Sequence, residues 1–193
     1  MKVLFVSLAV LIIDQVSKLY IKGFSFPLFG IRHGGMYQGQ RDRLWGDFFN
    51  ITFVENSGIA FGINFGPEFK LMISLFTILA GFALLFYLFR IKDKPLSLRI
   101  SVALIIGGAL GNLIDRIFYG VFYGYSGMFY GRVVDFFDIR ILNLFLFDKT
   151  LGNYVFNVAD IALTAGVILL MFVYGKTEST EVDLENCLAE NKD

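Results

Sequence analysis

Tyr154-Val155-Phe156-Asn157-Val158-Ala159-Asp160-Ile161-Ala162-Leu163-Thr164-Ala165-Gly166-Val167-Ile168-Leu169-Leu170-Met171-Phe172-Val173-Tyr174 is an apolar run interrupted by one carboxylate. About 20 helical residues cross a hydrocarbon core of ~30 Å, so this run predicts a membrane span. An ionisable group inside a span costs about +2.5 to +3.5 kcal/mol on insertion scales, so Asp160 near its start calls for a reason. Working outward, Leu98–Phe118, Phe69–Phe89 and Val3–Ile21 are three further runs of the same kind. Lys2 and the apolar stretch Val3–Ile13 have the look of a secretory signal. No small-residue cleavage site follows, however, and the helical pattern continues through Asp14 to Ile21, which predicts an uncleaved span. The fold expected from these runs is an all-α membrane protein of four transmembrane helices, one polytopic domain over residues 1–175.

Composition supports lipid rather than water as the main surrounding. The chain is 56% hydrophobic and 17% aromatic, and its 18% Asp, Glu, Lys and Arg is low for a soluble surface. Net charge is zero but uneven: residues 176–193 hold six acids against Lys176 and Lys192, a balance of −4 that leaves +4 on residues 1–175. Such a tail is expected to be solvated and poorly ordered. Nothing forms a basic stripe for phosphates, which speaks against nucleic acid as a partner. The single cysteine, Cys187, excludes a disulfide framework or a cysteine metal site. The single histidine, His33, sits in a Gly-rich loop, where a lone His is far more often surface decoration than a ligand.

Basic residues set the orientation. Arg90, Lys92, Lys94 and Arg99 crowd the short connection between spans two and three, which places it on the cytoplasmic side together with Lys2 and Lys176. Eight basic residues fall on the other side against these six, but they are spread over two long segments. Both termini are therefore expected on the cytoplasmic side. Of the two outside segments, about 22–68 and 119–153, residues 48–65 are rich in β-formers broken by Gly58 and Gly62, which predicts short strands. Residues 133–147 are apolar with Asp135, Asp138, Arg140 and Asn143 interspersed, which predicts an interfacial amphipathic helix.

Several more polar groups lie at membrane depth. Asp14 and Lys18 stand at i and i+4, on one helix face, where they can pair or serve a site directly. Asn112 and Asp115, near the end of span three, can act as glue between helices, with Gly107, Gly108 and Gly111 permitting close approach and Arg116 as the expected partner of Asp115. Asp135, in Val133-Val134-Asp135-Phe136, and Asp160 are placed to meet at one depth. Two carboxylates held close in a low dielectric share one proton, which suits hydrolysis: one takes a proton from water, the other donates to the scissile carbonyl. Taken alone, these residues define a polar site near the outer face and no more.

The motifs Asp14-Gln15-Val16-Ser17-Lys18, Glu55-Asn56-Ser57-Gly58-Ile59-Ala60-Phe61, Gly107 to Arg116, Val133-Val134-Asp135-Phe136 and Phe156-Asn157-Val158-Ala159-Asp160 follow one another in this order. Together they resemble the bacterial lipoprotein signal peptidase (type II signal peptidase) family over nearly the whole chain to about residue 175. The resemblance implies a four-helix inner-membrane aspartyl peptidase with an extracytoplasmic β-rich cradle and a short periplasmic helix. It implies cleavage of a diacylglyceryl-modified prolipoprotein on the N-terminal side of the lipidated cysteine, with no metal and no organic cofactor. Asp135 and Asp160 are then the catalytic pair. Asp14, Lys18, Asn56, Asn112, Asp115, Arg116 and Asn157 are supporting polar residues, and Gly58, Ala60, Gly108 and Ala159 are small positions lining the site. The partners implied are lipid-modified preproteins and membrane lipid, and one chain, as a monomer, supplies a complete site.

Two features depart from the family pattern: an enlarged Gly- and aromatic-rich connection over 118–131 and a long first outside loop over 22–50. From other classes, a proton-coupled transporter or a non-catalytic membrane scaffold would also keep buried aspartates. However, Asn112-x-x-Asp115 and Asn157-x-x-Asp160 are not embedded in a longer repeat, as the transporter reading would favour.

Overall fold

Apolar runs of bilayer length form helices, and the β-branched and aromatic segments between them form sheets. The structure, a computed structural model, describes residues 2–46, 48–57, 66–146 and 149–190, and only the backbone course of 67, 141–146, 149–153 and 176–190. Helix α1 (Leu4–Lys22) leads into a hairpin of β1 (Phe24–Phe26) and β2 (Ile31–His33), then β3 (Arg41–Trp45) and β4 (Phe49–Asn56). Helices α2 (Pro67–Arg90) and α3 (Leu96–Ile114) follow, and α3 continues through a π-helical turn (Asp115–Tyr119) into the short α4 (Gly120–Phe122). Strands β5 (Val133–Leu146) and β6 (Lys149–Phe156) precede α5 (Val158–Glu190).

Among the described residues, four helical stretches are long and apolar enough to cross a membrane: Leu4–Lys22, Glu68–Arg90, Leu96–Phe122 and Val158–Gly175. They match the expected spans with two shifts. Span three runs through the π turn to Phe122, and span four starts at Val158 rather than Tyr154. The reason for the second shift is that Tyr154, Val155 and Phe156 pair with Ile139, Asp138 and Phe137 as the end of β6. The acidic tail, expected to be poorly ordered, follows the helical course of α5 as far as Glu190.

Polarity is distributed inside out. Asp14, Lys18, Ser74, Ser101, Asp115 and Asn157 are fully buried, while Phe5, Phe76, Phe82, Met171 and Phe172 are each more than two-thirds exposed. Lipid replaces water as the solvent for such a surface, and polar groups then satisfy one another within the bundle. Helix α3 lies at the centre, packed on α1, α2 and α5. Its glycines set those distances: a Cβ on Gly107 would lie 2.9 Å from Val10 Cβ, and one on Gly108 only 2.3 Å from the carbonyl oxygen of Ala159.

The expected β-rich part beside the four helices is present, as two antiparallel sheets among the described residues, the β1–β2 hairpin and a four-stranded sheet in the order β3-β4-β5-β6, so the fold is not all-α. The predicted strands over 48–65 are found as β4, and residues 58–65 lie outside the described residues. The amphipathic helix expected over 133–147 is instead β5, hydrogen-bonded to β4 on one side and β6 on the other. Alternation was disguised there because both faces are covered: Val134 and Phe136 are buried on one face, Val133 and Asp135 on the other.

Candidate active site

Helix α1 brings the first charges to the bundle interior. Lys18 Nζ lies 2.8 Å from Asp14 Oδ2 and 2.9 Å from Asp115 Oδ2, and all three side chains are excluded from solvent. The i, i+4 pair anticipated from sequence is present, and Asp115 is taken by Lys18 rather than by its neighbour Arg116. One ammonium against two carboxylates needs further donors, and the site supplies them. Asp14 Oδ1 accepts from the Ala159 backbone N–H (2.9 Å) and Asp115 Oδ2 from that of Val134 (3.1 Å). Gln15, which sequence reasoning passed over, donates to Asp14 Oδ2 (3.1 Å), Asp115 Oδ1 (2.9 Å) and the Gly111 carbonyl (3.1 Å). Its own oxygen accepts from Tyr119 OH at 3.2 Å. Every carboxylate oxygen of this group thus has a donor, as burial requires.

Asparagine amides connect that group to the second pair of acids. Asn112 Oδ1 accepts from Lys18 Nζ (2.9 Å), and its Nδ2 donates to Asp160 Oδ1 (2.8 Å). Asn157 caps α5: its Oδ1 accepts from the Asp160 backbone N–H (2.9 Å), and Asp160 Oδ2 accepts in return from the Asn157 N–H (3.2 Å). This is the reciprocal arrangement of a capping box, and it also sets Asp160 at the positive end of the helix dipole. Asn157 Nδ2 is shared among Asp135 Oδ1 (2.7 Å), Asn112 Oδ1 (3.0 Å) and the Val134 carbonyl (3.3 Å). Asn56, at the end of β4, donates to Asp135 Oδ2 at 3.2 Å.

Asp135 and Asp160 therefore stand on either side of one asparagine, carried by a strand and a helix start. Burial pushes the Asp135 carboxyl up to about 7, the charge of Asp160 adds to the rise, and Asn56, Lys18 and Asn157 oppose it. Such a pair near neutral pH holds one proton and one negative charge, the state that acid–base hydrolysis uses. Asp160 is only half-buried, which leaves the pair an open side.

Of the remaining predicted residues, Gly108 and Ala159 form the α3–α5 crossing, where Ala159 is fully buried. Arg116 lies within electrostatic reach of Asp115, Asp135 and Asp160, and its carbonyl accepts from Gly131 N–H at 2.9 Å. Gly58 and Ala60 lie outside the described residues. Among the described residues no group of three or more His, Cys, Asp or Glu side chains is arranged to hold a metal ion. Asp138, also buried, accepts from Thr52 Oγ1 (2.7 Å) and pairs with Arg140 (3.2 Å), so it is a sheet-internal ion pair apart from the site.

Four apolar helices with an attached sheet make this a multi-pass membrane protein, with two carboxylates held on either side of one asparagine. The sequence model of the family described as Signal peptidase (SPase) II matches residues 6–175. The lipoprotein signal peptidase of Porphyromonas gingivalis is 36% identical over 208 residues, covering 93% of this chain and 85% of that protein. That of Moorella thermoacetica is 36% identical over 170 residues, covering 88% and 90%. A solved structure described as a bacterial membrane enzyme, obtained by the in meso method at 2.3 Å resolution, superposes with a TM-score of 0.67 at 31% identity, covering 93% of this chain and 90% of that one. A second, at 1.9 Å, gives a TM-score of 0.63 at 32% identity, covering 90% and 92%. The chain belongs to the signal peptidase II family, a family of aspartic-type peptidases.

Proposed function

We propose that this chain removes the signal peptide from diacylglyceryl-modified prolipoproteins, on the N-terminal side of the lipidated cysteine, with Asp135 and Asp160 activating the water between them. The observation that carries this reading is that Asn157 bonds both carboxylates, Asp135 through its side-chain amide and Asp160 through its backbone N–H, and that the described donors to the pair are amides rather than cations. The ionised partner takes a proton as water attacks the scissile carbonyl carbon, and the protonated partner donates to the carbonyl oxygen. Collapse of the tetrahedral intermediate breaks the C–N bond, and a proton from the pair passes to the leaving amine. The amides of Asn56, Asn112 and Asn157 hold both acids throughout, so little reorganisation is needed at the moment of reaction.

The membrane setting follows the same reading. Residues 1–175 act as one domain of the inner membrane with both termini cytoplasmic, as the basic residues of 90–99 favour. The four-stranded sheet then lies on the periplasmic side as a cradle, with the site at that face and substrate entering sideways from the bilayer. One chain suffices, and residues 176–193 are not part of the site.

A gel-shift cleavage assay in nanodiscs tests the proposal. It uses a diacylglyceryl prolipoprotein, the same preprotein without lipid, and wild-type, Asp135→Asn and Asp160→Asn enzymes. Cleavage of the lipidated form alone, lost in both variants, is expected. Near-normal processing by a folded Asp160→Asn enzyme would sink the assignment.

A further inference from the structure

The connection over 118–131 covers a buried Lys22–Glu55 ion pair, extended by the more exposed Arg132, that the proposed chemistry does not use. Lys22, the last residue of α1, pairs with Glu55 of β4, and their side chains are only 6% and 10% exposed. Arg132 Nη1 donates to the other oxygen of Glu55 at 2.9 Å. One carboxylate thus faces two cations, and aromatic faces accommodate the excess positive charge. The Lys22 ammonium lies 4.1 Å from the ring centre of Tyr123, 4.7 Å from that of Tyr125 and 5.7 Å from that of Tyr119, while the Arg132 guanidinium lies 5.1 Å from Tyr125. All four distances fall within the ~6 Å over which a cation is attracted to a ring face.

The rings are themselves held in place. Tyr123 OH donates to the Gly23 carbonyl at 2.7 Å, and the Arg132 backbone N–H donates to Tyr125 OH at 2.9 Å. The connection folds back on the π turn, with Phe129 N–H on the Ile117 carbonyl (3.2 Å) and Gly131 N–H on that of Arg116 (2.9 Å). A Cβ at Gly131 would stand 2.0 Å from the Asp115 carbonyl oxygen, so this return needs glycine.

What the cluster grips is the end of β4. Strand β3 pairs with β4 only as far as Thr52, with the turn before β3 adding backbone bonds at Phe53. Beyond that point the anchoring of Glu55 gains weight, and the next residue is Asn56, the donor to Asp135. Glu55 and Asn56 sit opposite Val134 and Val133 of β5, directly beside Asp135.

We propose that the 118–131 connection, through its tyrosine cage on Lys22 and Glu55, positions Asn56 against Asp135, which makes Lys22, Glu55 and Tyr123 positioning residues for cleavage. This rests on Asp135 being catalytic. The cage fixes a donor rather than touching substrate, so its loss is felt in turnover more than in substrate binding.

The test measures kcat and KM for a lipidated prolipoprotein with purified full-length Tyr123→Leu, Tyr123→Phe, Asn56→Ala, the Tyr123→Leu/Asn56→Ala double variant and Asp135→Asn. Tyr123→Leu is expected to lower kcat about tenfold with KM within about twofold, and Tyr123→Phe, which keeps the ring, to stay within about twofold of wild type. In the Asn56→Ala background Tyr123→Leu is expected to lower kcat by no more than about twofold further, because both changes act on one interaction. Equal losses in both backgrounds, a loss confined to KM, a Tyr123→Phe enzyme as poor as Tyr123→Leu, or an undiminished Tyr123→Leu enzyme would each overturn the proposal. Should Tyr123→Leu not purify as a monodisperse protein, Glu55→Gln, which keeps the shape and removes the charge, takes its place under the same criteria. If neither folds, the cluster is structural and the proposal falls. Cleavage by Asp135→Asn would instead remove the catalytic assignment beneath it, whatever the cage variants do.

Discussion

Two pairs of aspartates share one hydrogen-bond network, yet they are solvated in different ways. Asp14 and Asp115 divide the Lys18 ammonium between them at 2.8 and 2.9 Å, with Gln15 and backbone N–H groups completing their shells. Asp135 and Asp160 receive amide hydrogen bonds from Asn56, Asn112 and Asn157, and Lys18 reaches Asp160 only through the Asn112 side chain. A full counter-charge shared between two carboxylates ties their helices together. Neutral donors orient a carboxylate while leaving its proton negotiable. The difference between the pairs is therefore one between holding and reacting, though the same residue type serves both.

The largest expected effect breaks the reacting half alone. Asp160→Asn keeps the shape and removes the acid–base group, so cleavage should fall by roughly 10²–10⁴ or more in a gel-shift assay, with the melting temperature in detergent little changed. The converse change, Lys18→Met, leaves two buried carboxylates facing each other. It should lower stability by about 3–5 kcal/mol, read as a depressed melting temperature or loss of monodisperse protein. A Lys18→Met enzyme that melts like wild type would show that the two pairs are not solvated differently after all.

Smaller changes sharpen the contrast. Asn157→Ala removes the side-chain donor to Asp135 and the cap on the Asp160 backbone N–H, and should reduce turnover by about 10- to 100-fold, in line with ~1.5–3 kcal/mol for a hydrogen bond to a charged group. The smallest effect is in pH. With Asp135 raised to about 7 by burial and by Asp160, the pair keeps its shared proton below that pH and loses it above. Turnover should fall about tenfold per pH unit on the alkaline side, once pH exceeds about 7. The linkage for stability runs the same way. The folded protein binds the Asp135 proton more tightly than the unfolded chain does, so this group's contribution declines as pH rises from about 4 to about 7 and is level beyond. Turnover that keeps rising to pH 9 would contradict the shared proton.

Much of this was legible in the residues. Bilayer-length apolar runs announce the spans, because their pattern follows from hydrocarbon thickness and needs no tertiary knowledge. The acids stood out for the same reason, as charges at membrane depth. What stayed hidden depended on distant partners. Strand β5 read as an amphipathic helix because the cover on its second face comes from elsewhere in the chain, and β6 took Tyr154–Phe156 from the expected start of span four. Arg116 was the local candidate for Asp115, but the π turn and the α1–α3 contact hand that carboxylate to Lys18, nearly a hundred residues earlier. Gln15 gave no signal of its own: an amide between Asp14 and Lys18 becomes a hub only when α3 packs against it.

The crossing of α3 and α5, where a single methyl on Gly108 would meet the Ala159 carbonyl, bears on how freely this protein can be lengthened in evolution. Because the two helices meet backbone to backbone, their relative height is set by contact and not by the stretch of chain that joins them. Loop closure is insensitive to length, each doubling adding only ~0.6 kcal/mol, so the joining segment can acquire residues without disturbing what lies beneath it. By the same logic, residues can be added to the 118–131 connection so long as Tyr123 and Tyr125 keep their place over Lys22, because trimming those rings should lower turnover.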